Sequence, residues 1–244
     1  MNIKKHIPNL LTLGNLFCGT VATIFAVQSD FEAAAILVVI GIVFDFFDGF
    51  AARMLNVTGE LGKQLDSLAD MVTSGVVPGI FMFQLLKGNY YAVDSFTFSI
   101  KGYTYLPYLG LLLTLAACYR LANFNIDDRQ SDSFIGMPTP AMSLFVIALP
   151  AIPMYSDNQF FIDLVTNDYF LVTVTVVLSV LMNAEVPLFS LKFKSFGVKV
   201  NLLKYVFLLV SLGCIIWLHV IAIPLVILLY VILSIGNNVI AKKA

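Results

Sequence analysis

Residues 31–54 read FEAAAILVVIGIVFDFFDGFAARM, and residues 60–70 read ELGKQLDSLAD. The first stretch is long enough to cross a bilayer, since a spanning helix needs roughly 20 predominantly apolar residues. Asp45 and Asp48 nevertheless interrupt this stretch near its end, and the second stretch contains Asp66 and Asp70. Carboxylates at membrane depth are costly and usually face a protein interior or a water-filled cavity. The combination predicts membrane-crossing helices that turn four acids toward a shared polar space.

The composition of the whole chain is typical of a polytopic membrane protein. Of its 244 residues, 59% are hydrophobic and 12% are charged. Soluble proteins contain about 25% charged residues, so a soluble helical core is the disfavoured alternative. We predict an all-α membrane helical bundle with about eight transmembrane helices. Their predicted limits are 8–28, 31–54, 66–86, 103–123, 139–155, 165–184, 203–219 and 221–240.

The distribution of basic residues predicts the orientation of this bundle. If the N-terminus is cytoplasmic, every Lys and Arg except Lys87 and Lys101 falls on the cytoplasmic side. Short loops rich in Lys and Arg remain in the cytoplasm during membrane insertion. We therefore expect both termini and the acid cluster at the cytoplasmic face of the cell membrane. No small-residue cleavage site follows the first apolar run, so no cleavable signal peptide is predicted.

The four acids have helical spacing. Asp45 and Asp48 are three residues apart, and Asp66 and Asp70 are four apart, so each pair lies on one helix face. Facing carboxylates repel one another and take up protons unless a cation lies between them. Oxygen ligands suit Mg²⁺, Mn²⁺ or Ca²⁺, and four carboxylates could hold two ions for a displacement at phosphorus. Alternatively, one carboxylate serves as a general base.

Small residues and one cation accompany the acids. Gly49, Ala52 and Gly62 share the helix faces of the acids and leave space for a nucleotide or a phosphate. Arg53 lies at the predicted cytoplasmic end of its helix, where a guanidinium can pair with a carboxylate or a phosphate.

The region resembles a known family signature, that of the CDP-alcohol phosphotransferases. All eight of its defined positions are present in Asp45-x-x-Asp48-Gly49-x-x-Ala52-Arg53, eight further residues, and Gly62-x-x-x-Asp66-x-x-x-Asp70. The resemblance implies that a hydroxyl attacks the phosphate of a CDP-linked alcohol and that CMP leaves. It also implies that the four acids bind Mg²⁺ or Mn²⁺ and that Asp70 takes the acceptor's proton. The small residues of the motif would accept the cytidine nucleotide.

Further stretches resemble one branch of that family, the membrane-embedded phosphatidylserine synthases of bacteria and archaea. They are residues 7–15, 45–49, 65–70, 120–125 and 134–138. The implied substrates are CDP-diacylglycerol, which enters from the membrane lipids, and L-serine. The implied products are phosphatidylserine and CMP. The resemblance also implies a homodimer, and no feature suggests a nucleic-acid partner.

The family resemblance suggests a simple domain organisation. We expect one membrane-embedded CDP-alcohol phosphotransferase domain over residues 1–244. Its catalytic core would cover about 1–185, and two extra helices would cover about 200–240.

Five polar residues outside the motif are candidates for binding substrate. Arg120, Asn123 and Asn125 end the fourth predicted span with groups suited to the carboxylate and ammonium of serine. The alternative is a positive-inside anchor with helix-terminating asparagines. Thr12 and Asn15 share one face of the first span, where they either contact the nucleotide and phosphate or form interhelical hydrogen bonds.

Two other functions fit parts of the pattern. Synthases that use glycerol 3-phosphate or inositol phosphate share the metal motif, but a phosphorylated acceptor should demand more basic residues near the site. An ion-coupled transporter would also place carboxylates in the membrane. Transporters typically show internal repeats and midplane sites, whereas these acids lie toward one face and no repeat relates the two halves.

Overall fold

The structure is a computed structural model that describes residues 6–90, 99–100, 103–127, 134–189 and 201–241. Helices dominate this part of the chain. The α-helices are His6–Val27 (α1), Phe31–Met54 (α2), Glu60–Asp70 (α3), Val77–Tyr90 (α4), Leu112–Ile126 (α5), Thr139–Ala148 (α6), Ala151–Tyr155 (α7), Gln159–Val165 (α8), Asp168–Asn183 (α9), Leu202–Leu218 (α10) and Ala222–Ala241 (α11).

Short non-α elements connect these helices. A π-helix covers Met71–Val76, and 3₁₀-helices cover Leu106–Leu111 and His219–Ile221. Two antiparallel pairs of two-residue strands are also present. They are Ser99–Ile100 (β1) with Tyr103–Thr104 (β2), and Phe134–Ile135 (β3) with Pro187–Leu188 (β4).

Five helical runs among the described residues are long and apolar enough to cross a membrane, which supports a multi-pass membrane protein. A sixth is obtained if α8 and α9, which meet at an angle of 68°, form one bent span. The five runs are His6–Val27, Phe31–Met54, Glu60–Gly88, Leu106–Ile126 and Leu202–Asn238. The prediction of a helical bundle is confirmed, while the count of eight spans and the cytoplasmic termini stay predictions.

Three helix boundaries differ from the predicted spans. α3 begins at Glu60 rather than at 66, because its first turns are polar and a hydropathy pattern does not detect them. The predicted span 139–155 is divided at Pro150, whose ring nitrogen cannot donate a helical hydrogen bond. α9 begins at Asp168 rather than at 165, because the side chain of Asn167 caps it by accepting from the Phe170 amide at 3.1 Å.

The run from Leu202 to Asn238 folds back on itself. The rings of Phe207 and Tyr230 have centroids 5.7 Å apart. The same two residues would be about 35 Å apart in a straight helix. α10 and α11 therefore lie side by side as a hairpin, and His219, at φ 48°, occupies the turn.

Small residues allow α1, α2 and the π-helix to pack closely. A Cβ added to Gly19 would collide with Oγ1 of Thr73 and would lie 2.9 Å from its Cα. A Cβ added to Gly41 would lie 2.8 Å from Oδ1 of Asn15. Small residues commonly allow such close approach between membrane helices. This contact sets the position of α1 relative to the acids on α2 and α3.

Candidate active site

Three of the four predicted acids form one cluster. Asp45, Asp48 and Asp66 each present a carboxylate oxygen, and these oxygens all lie within 4.8 Å of one another. α2 supplies the first two acids and α3 supplies the third. Like charges this close repel strongly in a partly buried site, so a cation would stabilise them. An all-carboxylate donor set fits a divalent metal such as Mg²⁺, Mn²⁺ or Ca²⁺.

The fourth acid, Asp70, lies outside this cluster and is held by α1. It is 9% exposed. Its Oδ1 accepts a hydrogen bond from Nδ2 of Asn15 at 3.1 Å. Asn15 is fully buried, and Oγ1 of Thr73 donates to its backbone carbonyl at 3.2 Å. The carboxylate of Asp70 is therefore oriented by the protein itself.

Thr12 provides the corresponding contact between α1 and α2. Its Oγ1 donates to Oδ2 of Asp48 at 2.5 Å. One face of α1 thus contacts an acid on α2 through Thr12 and an acid on α3 through Asn15. The predicted interhelical hydrogen bonds of these two residues are present, and Thr12 also lines the cavity described next.

A cavity of about 310 Å³, which we call the α1–α3 cavity, opens beside Asp48 and Asp66. Besides Thr12, four further residues predicted to contact nucleotide or phosphate line it, namely Gly49, Ala52, Arg53 and Gly62. A Cβ at Gly49 would lie 3.6 Å from Nη1 of Arg53, and a Cβ at Gly62 would lie 3.6 Å from Oδ1 of Asn9, which are ordinary van der Waals distances. Helix packing therefore does not require glycine at these positions. A larger side chain there would instead reduce the volume of the α1–α3 cavity.

A second cavity, the α5–α9 cavity, has a volume of about 360 Å³. Its lining comes from the end of α5, from β3 and from the end of α9. The residues are Arg120, Asn123, Ile126, Asp127, Ile135, Met182, Asn183, Ala184 and Glu185. Two of the three predicted serine contacts, Arg120 and Asn123, are therefore in one cavity.

Asn125 lies elsewhere and joins α5 to α3. Its Nδ2 donates to Oγ of Ser67 at 2.9 Å, and its backbone carbonyl accepts from Nζ of Lys63 at 2.5 Å. These contacts hold the end of α5 against the helix that carries Asp66 and Asp70.

Arg120 connects the second cavity with the acids. Its side chain is 7% exposed, and its charge interacts with that of Asp70. Its Nε and Nη2 are buried, and no residue in the described part of the chain accepts a hydrogen bond from them. Buried donors are normally paired, so these two are available to an acceptor on a ligand.

Sequence reasoning missed two features of the site. The first is the π-helix directly after Asp70, a structure that is frequent at functional sites. The second is the contribution of Asn183 and Glu185 to the α5–α9 cavity. No local motif marks these residues, because the contact with α5 is formed only on folding.

Comparisons with known proteins agree with this geometry. The sequence profile of the CDP-alcohol phosphatidyltransferase family matches residues 5–240. The chain is 36% identical over 149 residues to the CDP-diacylglycerol–serine O-phosphatidyltransferase of Bacillus subtilis, covering 59% of this chain and 75% of the relative. It is 31% identical over 204 residues to the protein of that name from Helicobacter pylori, and the match covers 82% of this chain and 79% of the relative. It is 29% identical over 168 residues to the archaetidylserine synthase of Methanothermobacter thermautotrophicus, and the match covers 64% of this chain and 65% of the relative.

Proposed function

Because the chain belongs to the CDP-alcohol phosphatidyltransferase family, we propose that it transfers the phosphatidyl group of CDP-diacylglycerol to the hydroxyl of L-serine. The products would be phosphatidylserine and CMP. The observation that carries this proposal is the arrangement of two cavities about one set of acids. Asp48 and Asp66 line the first cavity, and Arg120 of the second interacts with the charge of Asp70. The similar proteins named as serine enzymes support the choice of acceptor.

The clustered acids would bind the metal. Asp45, Asp48 and Asp66 suit one Mg²⁺ or Mn²⁺, and Asp70 would complete the ligand set if a second ion is held. Ca²⁺ would fit the same oxygen ligands. A bound divalent metal neutralises charge on the pyrophosphate and stabilises the departing phosphate oxygen of CMP.

Asp70 would act as the general base. Its hydrogen bond from Asn15 holds Oδ1, and Oδ2 would accept the proton of the serine hydroxyl. The serine oxygen then forms a bond to the phosphorus next to diacylglycerol, and the bond from that phosphorus to CMP breaks. Arg120 lines the α5–α9 cavity and its charge interacts with that of Asp70, so this arginine would link the base to the acceptor.

The α1–α3 cavity would hold the CDP group. Gly49, Ala52 and Gly62 leave the space for cytidine, and Arg53 lies where it would pair with a phosphate. Thr12 would contribute by orienting Asp48, and Asn15 by orienting Asp70.

The α5–α9 cavity would hold serine. Arg120 would bind the carboxylate through Nε and Nη2, which have no partner among the described residues, and Asn123 would add a polar contact. Asn125 contributes to the site by docking α5 onto α3.

The membrane arrangement follows the charge pattern. We propose eight spans with both termini in the cytoplasm, so that the site faces the cytoplasm at the cell membrane. A single catalytic domain would include the core helices up to about residue 185 and the α10–α11 hairpin. In this arrangement CDP-diacylglycerol enters from the lipid, while serine and CMP exchange with water. Family resemblance suggests that two copies form a homodimer.

An acceptor screen tests this function. Purified protein with CDP-diacylglycerol and Mn²⁺ or Mg²⁺ is expected to convert labelled serine into labelled phosphatidylserine, and EDTA is expected to abolish the reaction. Glycerol 3-phosphate and inositol phosphate are the competing acceptors. The serine assignment is wrong if only a phosphorylated acceptor is consumed, and the metal assignment is wrong if EDTA has no effect.

Thr12→Val is expected to lower kcat by about tenfold, because a hydrogen bond to a charged group contributes about 1.5–3 kcal/mol. The metal concentration needed for half-maximal rate should rise as well, since Asp48 loses its orienting donor. Thr12→Ser retains a hydroxyl and should retain most activity. Thr20→Val is the matched control, because Thr20 is exposed and its Oγ1 donates to the Leu16 carbonyl within the same helix. Equal effects at both threonines would contradict the role of Thr12.

A further inference from the structure

A proline shapes the π-helix of the site. Pro78 lies four residues after Ser74, so in an α-helix its ring would clash with the Ser74 carbonyl and could not donate to it. The helix is wider just before this proline, as the π-helix Met71–Val76, and the Val77 amide donates to the Val72 carbonyl five residues back. The wider turns change which backbone groups this segment presents to the neighbouring helices.

One carbonyl of the π-helix accepts a hydrogen bond from α5. Oγ1 of Thr114 donates to the Gly75 carbonyl at 3.0 Å. Gly75 is buried, and a Cβ there would lie 3.1 Å from Cβ of Ala117, one turn further along α5. A Cβ at Gly79 would collide with Oγ1 of Thr114. The two glycines thus allow the Thr114 hydroxyl to reach the backbone of the π-helix.

Two hydrogen bonds from α5 lie on either side of the acid Asp70 and of Arg120. Asn125 donates to Ser67, three residues before Asp70, and Thr114 donates to the π-helix, five residues after Asp70. On α5, Thr114 precedes Arg120 by six residues and Asn125 follows it by five. The two segments therefore run antiparallel, and Asp70 and Arg120 lie between the two hydrogen bonds.

The guanidinium of Arg120 depends on α5 for its position. No residue in the described part of the chain accepts a hydrogen bond from its Nε or Nη2. Its Cζ lies 5.9 Å from the ring centroid of Phe124, which belongs to the same helix, and its charge interacts with that of Asp70. A shift of α5 against the π-helix would therefore move Arg120 relative to Asp70.

We infer that Thr114 is a positioning residue that sets the distance between Arg120 and Asp70. It does so under the proposed function, in which Arg120 binds the serine carboxylate and Asp70 takes the hydroxyl proton. Serine must reach both groups at once, so their separation has to match the length of the molecule. A displacement of about 1 Å caused by a distant change can lower a rate by about 100-fold. Thr114 thus orients the acceptor without touching it.

The test replaces the Thr114 hydroxyl with a methyl group of similar size. Thr114→Val is expected to raise the KM for serine by about tenfold. The KM for CDP-diacylglycerol should not change, because α5 contributes no residue to the lining of the α1–α3 cavity. Thr114→Ser retains the hydroxyl and should keep the wild-type KM. Thr173→Val is the matched control, since Thr173 is exposed and its Oγ1 donates to the Tyr169 carbonyl within the same helix.

A double-mutant cycle tests whether Thr114 acts through Arg120. Arg120→Lys keeps the positive charge but loses the planar set of donors, so the KM for serine should rise. Adding Thr114→Val to Arg120→Lys should raise this KM by less than about a further twofold, because mutations that act on one interaction are not additive. The full tenfold effect in both backgrounds would show that Thr114 acts elsewhere and would overturn the inference.

The outcomes separate the two proposals. An unchanged KM for serine in Thr114→Val overturns the role of Thr114 and leaves the proposed function in place. An equal rise in KM for both substrates, or a Thr114→Ser protein that behaves like Thr114→Val, would indicate a general structural role and would also overturn the inference. A wild-type protein that consumes no serine overturns the proposed function.

Discussion

Asp70→Asn is expected to lower kcat for CMP release by about 10³-fold, while the KM for CDP-diacylglycerol changes little. The amide cannot accept the proton of the attacking hydroxyl. It is nearly the same size as the carboxylate, so the packing around Asn15 should be preserved. Asp70 differs from the other three acids because it lies outside their cluster. Like Asp48, it accepts a hydrogen bond from a side chain of α1. Asp163→Asn, on the exposed surface of α8, is the control and should retain full activity.

Comparison with Asp66→Asn separates a base from a metal ligand. Loss of the Asp66 carboxylate should raise the metal concentration needed for half-maximal rate, because Asp66 belongs to the cluster. Asp70→Asn should leave that concentration nearly unchanged if Asp70 is purely the base. A large increase in Asp70→Asn would instead show that Asp70 is a ligand. A wild-type protein that moves an ion or solute but never releases CMP would contradict the enzyme assignment.

Gly19→Ala is expected to destabilise the protein by about 2–3 kcal/mol, near the upper end of the usual cost of overpacking. The new Cβ would collide with Oγ1 of Thr73, and it would lie 2.9 Å from the Cα of that residue. Rotation of the Thr73 side chain relieves only the first contact, so α1 must move away from the π-helix. This movement would disturb the contacts from Thr73 to Asn15 and from Asn15 to Asp70, and activity should fall with stability.

Gly213→Ala and Gly236→Ala are matched controls for this change. A Cβ at either position would meet no atom of the described residues within 4 Å outside the backbone of its own helix. Replacing such a helical glycine with alanine should be neutral or stabilising by up to about 1 kcal/mol. Thermal unfolding in detergent provides the measurement. Equal unfolding temperatures for Gly19→Ala and Gly236→Ala would contradict the close packing of α1 on the π-helix.

Much of the fold and the family could be predicted from local pattern. Apolar runs of spanning length predicted α1, α2 and the α10–α11 pair, and the acid and glycine spacing predicted the family, which is confirmed. The predicted helix boundaries were wrong where a helix begins with polar turns or where a proline divides an apolar run. Hydropathy does not detect the polar first turns of α3. Pro150 separates α6 from α7, whereas the apolar composition of this region predicted one continuous helix.

Local sequence pattern fixes which side chains share a helix face, since helical spacing places Asp45 with Asp48 and Asp66 with Asp70. Tertiary structure alone decided which of these groups meet. It clusters three acids and places Asp70 against Asn15. It also places Asn125 against α3, outside the α5–α9 cavity, and brings Glu185 into the lining of that cavity with Arg120. The physical reason is that periodicity acts over a few residues of one helix. Contacts between helices depend on how closely their backbones approach, as at Gly19 and Gly41.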